Sequence, residues 1–130
     1  MKTSVLIVED DKLLAEVYQK SLIAEGLDVL VAYDSKKALT IFANNSIGLV
    51  VLDIVLGDSN GFEFLKQFRK HAGTQRIPIV IVTGLNTDEV GLNKELSVSL
   101  NIIGIYTKSQ FAVSKLVEVV KYGLKNNESA

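Results

Sequence analysis

The chain has 130 residues, 48% of them hydrophobic and 22% charged, with a net charge of −1 and no cysteine. This composition suits a single soluble domain around one core. It excludes disulfides and cysteine-held zinc, offers no basic excess for nucleic acid or an anionic membrane, and holds no apolar run near the roughly 20 residues of a membrane span.

The opening Met-Lys-Thr-Ser and its short apolar run are too brief for a signal peptide, so a cytoplasmic location is the default expectation. The first strand is expected at "VLIV", residues 5–8, and it runs directly into Glu9, Asp10 and Asp11. A helix follows, with Leu13, Leu14, Val17, Tyr18 and Leu22 at three- and four-residue spacing. Asp11 is expected to cap its start, and Gly26 reads as its stop. "VLVA" at 29–32 is the second strand. Asp34 or Ser35 then opens a second helix marked by Ala38, Leu39 and Phe42.

The third strand, "LVVL" at 49–52, ends on Asp53, with the loop "IVLGDSNG" behind it. Phe62, Leu65 and Phe68 mark a third helix. "IVIV" at 79–82 is the fourth strand and leads into Thr83 and Gly84. A weakly patterned fourth helix is expected within 87–100, with a glycine inside it. "IIGIY" at 102–106 is the fifth strand, shortly before Lys108. Val113, Leu116, Val117, Val120 and Leu124 define a fifth helix, and 126–130 read as a polar tail or the start of a linker.

The strand runs are apolar at every position rather than alternating. Strands covered on both faces read this way, as in a parallel sheet. Five strand–helix alternations imply right-handed crossovers and a doubly wound α/β domain. Ligands of such sheets bind beyond the carboxyl ends of the strands. There the sequence offers Glu9, Asp10, Asp11, Asp53, Thr83 and Lys108. If the first and third strands are neighbours, their acidic ends meet.

Clustered carboxylates repel one another. A hard divalent cation resolves that, and Mg²⁺ takes carboxylate, carbonyl and water oxygens. A lysine and a hydroxyl alongside can hold phosphoryl oxygens, which suits Asp53 as a nucleophile toward phosphorus. Read singly, each residue has a plainer explanation. Asp53 would be a turn former, Asp10 or Asp11 a helix cap, Lys108 a solvated lysine and Thr83 a strand-end hydroxyl. His71 reads as the cationic end of the third helix.

Taken together, "VLIVEDD", "VVLDIVLGDSNGFEFLKQFR", "PIVIVTG" and "IYTKSQF" resemble the receiver domain of two-component response regulators, over about Thr3 to Lys125. The resemblance implies a flavodoxin-like strand order 2-1-3-4-5 and a receiver domain spanning residues 1–125. It implies Asp53 as phosphoacceptor, and Mg²⁺ held by Glu9, Asp10, Asp53 and the backbone carbonyl of Val55. It also implies Thr83 and Lys108 as the groups that contact the phosphoryl group, and Gly61 as the glycine of a loop-to-helix turn. The implied partners are a sensor histidine kinase or phosphotransfer protein and an output partner or domain. The implied role is that of a phosphoacceptor rather than an enzyme.

Several positions depart from the family pattern. Gly57 stands where proline is usual, and so does Ser109. The aromatic usually three residues before the lysine is replaced by Ile105, with Tyr106 one step later and so on the opposite face of a regular strand. Three other functions are weighed. A Mg²⁺-dependent phosphohydrolase of the haloacid-dehalogenase type needs a second acid two residues after its nucleophile, which neither "EDDK" nor "DIVLG" supplies. A flavodoxin-type carrier needs a phosphate loop after the first strand, where this chain is acidic. A receiver-like module that binds partners without phosphorylation is opposed by the full acid, hydroxyl and lysine set, while the altered loops at Gly57 and Ser109 leave it open.

Overall fold

The computed structural model describes residues 3–57, 59–71, 73–85, 90 and 94–129. Five strands form one parallel sheet: β1 Ser4–Val8, β2 Val29–Ala32, β3 Ile47–Leu52, β4 Ile79–Thr83 and β5 Ile102–Thr107. Their spatial order is 2-1-3-4-5. β1 therefore lies beside β3, Val8 pairing with Leu52, and β3 beside β4. All five expected strands are present, four of them one or two residues longer at an end.

Helices α1 Lys12–Ile23, α2 Ser35–Asn44, α3 Gly61–Arg69, α4 Lys94–Ser99 and α5 Val113–Ser129 follow the strands in turn. Alternate strand residues feed two cores. Leu6, Val8, Val50, Leu52, Ile79 and Ile81 pack with α2 and α3 through Ala38, Phe64, Leu65 and Phe68. Val5, Ile7, Leu49, Val51, Val80 and Val82 pack with α1 and α5 through Tyr18, Leu22, Leu116 and Val120. This double covering is why the strand interiors are apolar at successive positions rather than alternating.

Helix starts follow cap chemistry. Asp11 accepts from the Leu14 amide at 3.1 Å and Asp34 from the Lys37 amide at 2.7 Å, each satisfying a donor that the helix leaves open. The apolar pattern of α1 differs from expectation in one respect. Ala15, Tyr18 and Leu22 make its buried face, while Leu13 and Val17 lie off it and are 78% and 46% exposed. In α3, Phe64 rather than Phe62 is fully buried. α5 continues to Ser129, so the polar segment expected as a tail is helical there. The expected fourth helix falls partly outside the described residues; Lys94–Ser99 and Val90 are helical.

Arg69 at the end of α3 ties three segments together. Its Nη2 donates to Ile77 O at 3.0 Å and also to Leu100 O, and its Nη1 donates to Thr74 O. Burial lowers its pKa to about 10, still high enough to keep the guanidinium charged. No described helix is long and apolar enough to cross a membrane.

Candidate functional site

Two ladder bonds bring the acidic strand ends together. Asp53 N donates to Val8 O at 3.0 Å, and Glu9 N donates to Ala32 O at 3.0 Å. Each continues the sheet one residue past its strand, so the first carboxylates after β1 and β3 emerge side by side. Asp11 is already committed as the cap of α1. That leaves Glu9, Asp10 and Asp53, whose carboxylate oxygens lie within 4.8 Å of one another. Glu9 and Asp53 are buried, at 2% and 4% exposure, while Asp10 faces solvent.

Lys108 closes the cluster from the end of β5. Its Nζ lies 2.5 Å from Glu9 Oε1 and 2.7 Å from Asp53 Oδ2. Asp53 Oδ1 accepts from the Val55 amide at 3.0 Å. One ammonium therefore bonds two of the three clustered acids. Burial pushes the Glu9 carboxyl up to about 8, and the neighbouring Asp53 adds to this while Lys108 opposes it. For Lys108, burial alone would lower the pKa, but its bonds to Asp53 and Glu9 prevail and leave it raised.

The glycines around Asp53 have separate reasons. A Cβ on Gly61 would collide with the Asp53 carbonyl oxygen and stand 2.8 Å from Ile54 Cα. Only glycine lets α3 begin directly on the Asp53 backbone, where Gly61 N donates to Ile54 O at 2.8 Å. Gly57 has φ +57°, a left-handed conformation closed to the proline expected there from the family pattern. It ends the first arm of a small antiparallel ribbon that pairs Val55–Leu56 with Ser59–Asn60.

These residues line an open cleft of about 450 Å³, walled by Asp10, Asp11, Asp53, Val55, Gly57, Gly84, Leu85 and Lys108. Thr83 is completely buried and is not among the cleft's walls; Gly84 and Leu85 stand there instead. Its Oγ1 accepts from the Leu85 amide at 3.4 Å. Lys108–Gln110 form a 3₁₀ turn, and among the described residues no peptide bond is cis.

Tyr106 belongs to the α5 side of the sheet and Ile105 to the other core. β5 carries a register irregularity where Ile79/Val80 meet Ile102/Gly104. It lies upstream of both residues and leaves them on opposite faces. The Tyr106 ring stacks on Phe111 with centroids 4.4 Å apart and folds back over Gly104, whose Cβ would stand 2.5 Å from Tyr106 Cε2. Thr107, unremarked in the sequence, pairs with Thr83 across the ladder and donates to Leu85 O at 3.3 Å.

The donor set fits Mg²⁺. All candidate ligands are hard oxygens, and buried Glu9 Oε2 has no hydrogen-bond partner, the condition of an atom awaiting a cation or proton.

A family model described as the response regulator receiver domain matches residues 5–121. Solved structures agree. A CheY-like receiver domain protein from Methanospirillum hungatei superposes with a TM-score of 0.84 at 25% identity, over 99% of this chain and 98% of that one. The receiver domain of a Francisella response regulator gives 0.79 at 27%, over 96% and 98%. NtrX from Brucella abortus gives 0.82 at 22%, over 98% of this chain but 28% of that longer one, a likeness of fold. With its sheet order, its acidic strand ends and its lysine accounted for, this chain belongs to the response regulator receiver domain family.

Proposed function

We propose that the chain is a phosphorylation-driven signalling switch in which Asp53 accepts a phosphoryl group from a phosphohistidine of a sensor kinase or phosphotransfer protein. The observation that carries this reading is the convergence of Glu9, Asp10 and Asp53 within 4.8 Å, with Lys108 bonded to two of them. A carboxylate oxygen of Asp53 attacks phosphorus, the phosphorus–nitrogen bond of the donor breaks, and the imidazole leaves with the bonding pair and takes up a proton. The product is an acyl phosphate on Asp53.

Glu9, Asp10, Asp53 and the carbonyl of Val55 would hold Mg²⁺, which when bound neutralises phosphoryl charge. The Val55 amide fixes one Asp53 oxygen, which orients the other. Lys108 already sits against Asp53, so its ammonium is placed to follow the charge onto the phosphoryl oxygens. Thr83 supplies a hydroxyl once the Gly84–Leu85 wall in front of it moves. The domain then acts as a regulatory phosphoacceptor rather than a turnover enzyme, working in the cytoplasm on an output partner or domain that the switch controls.

The test is incubation with a small phosphodonor and Mg²⁺, read by intact mass. One acid-stable, base-labile phosphoryl group per chain is expected, and none on Asp53→Asn. Labelling that persists in Asp53→Asn, or no labelling of the wild type, overturns the reading.

A further inference from the structure

The geometry points to Thr107 as a positioning residue that latches the turn behind the phosphoryl site in its resting position. The inference rests on the receiver reading and adds a residue to its mechanism. Leu85 is held at both of its backbone groups. Its amide donates to Thr83 Oγ1 at 3.4 Å, and its carbonyl accepts from Thr107 Oγ1 at 3.3 Å. The two threonines are ladder partners on adjacent strands. Thr83 is wholly buried and Thr107 nearly so, so in the resting state the sheet sets where both anchors stand.

Leu85 and Gly84 form the wall between Thr83 and the cleft. Any motion that brings the Thr83 hydroxyl to a phosphoryl oxygen carries this turn with it. Bond by bond, the turn can keep its tie to Thr83, because a hydroxyl accepts from the Leu85 amide while donating elsewhere. It cannot keep its tie to Thr107, because that residue belongs to the neighbouring strand and does not travel. The bond from Thr107 to Leu85 therefore favours the resting turn alone, and a ligand or contact specific to one state biases the equilibrium toward it. Both bonds are longer than the usual range, as suits a weak contact that is exchanged.

The face of β5 that carries Thr107 carries Ile105 and no aromatic ring, Tyr106 lying on the other side. The hydroxyl of Thr107 is thus the described polar link between the end of β5 and the turn after β4.

The experiment compares Thr107→Val, which keeps the shape and removes the donor, with Thr107→Ser, which keeps the donor. In the unphosphorylated protein, hydrogen exchange at the Leu85 amide should accelerate about two- to tenfold in Thr107→Val, the range one neutral hydrogen bond supports, and match wild type in Thr107→Ser. Phosphoryl uptake from a small donor with Mg²⁺ should accelerate by a similar factor in the valine variant only. Unchanged or slower uptake in Thr107→Val overturns the latch, as does a serine variant that behaves like the valine one. Failure of the wild type to take up any phosphoryl group would instead defeat the receiver reading, while Leu85 exchange, measured without phosphorylation, still judges the latch. Equal Leu85 exchange in all three proteins overturns it whatever the uptake rates.

Discussion

Lys108 Nζ lies 2.7 Å from Asp53 Oδ2 and is the cation that lets Asp53 and Glu9 share a buried strand end. The three residues come from β3, β1 and β5, so this contact depends on the whole sheet being assembled. Removing one member of such a buried set leaves the others uncompensated. Lys108→Ala should therefore keep the fold but lower its stability by about 1–3 kcal/mol. Urea unfolding measures this. The loss should be larger at pH 8 than at pH 5, where the proton held by Glu9 relieves the cluster, and added Mg²⁺ should recover part of it.

The pH dependence of Glu9 follows from its raised pKa, about 8 against 4.5. Between those values the folded state holds a proton that the unfolded state has lost. Stability therefore falls as pH rises through this window. Binding Mg²⁺ requires the ionised carboxylate, so metal affinity should rise over the same interval, with proton release on binding. Glu9→Gln should remove most of both effects. It should raise the unfolding midpoint at pH 8 without metal, by at least about 1 kcal/mol equivalent, while weakening Mg²⁺ binding. Titrations at pH 6 and pH 8 that give equal affinities for the wild type would contradict this.

Gly61 ties the start of α3 to the backbone just after Asp53. Because a Cβ there would strike the Asp53 carbonyl, Gly61→Ala must push α3 away from the site or shift Asp53 itself. The expected cost is about 1–3 kcal/mol, in the range of overpacked positions, together with slower phosphoryl uptake. Gly26→Ala makes a useful contrast. A Cβ there meets nothing within 4 Å, and the strain comes from its φ of +82° alone, so it should cost stability without altering uptake.

Arg69 is a structural prediction at a distance from the cleft. Its guanidinium serves carbonyls of Thr74 and Ile77 in the turn after α3 and of Leu100 just before β5. A lysine is a point charge and cannot fork to them. Arg69→Lys and Arg69→Met should each destabilise the domain by about 2–4 kcal/mol, read by thermal unfolding. A lysine variant as stable as wild type would show that charge alone suffices.

The sheet was legible because each strand is a run of apolar residues bounded by a helix of clear period, and β-branched runs of that kind have few other uses. The acidic cluster was legible because Glu9, Asp10, Asp53 and Lys108 stand directly at strand ends, where topology alone places them together. Other features left no such trace. Thr107 and Arg69 act on backbone carbonyls, and every residue has one, so no pattern of side chains announces the pairing. The exposure of Leu13 and Val17 depends on how α1 is rotated against the sheet, which spacing leaves open when seven apolar residues share 12 positions. The face of Tyr106 followed from strand parity, whereas the ring's fold over Gly104 required the neighbouring geometry.

The lifetime of the phosphorylated state is the last expectation. Hydrolysis of an aspartyl phosphate needs a water held in line behind phosphorus. Val55 and Leu85 both line the cleft over Asp53, and the Val55 side chain is about half exposed. Neither side chain can hydrogen-bond a water, and both can exclude one. Polar substitutions there should therefore shorten the lifetime. Val55→Asn offers an amide to orient a water, and Leu85→Glu a carboxylate to accept its proton. Each should speed decay of the phosphorylated protein about tenfold, below the hundredfold or more of a fully positioned acid or base, and the double variant should be faster than either. The measurement is loss of the phosphoryl group over time after the donor is removed. The competing explanation is that water enters past Gly57 and Gly84 whatever stands at the two apolar positions. Decay that is unchanged or slower in both single variants would favour that explanation and remove the apolar lid as the control on lifetime.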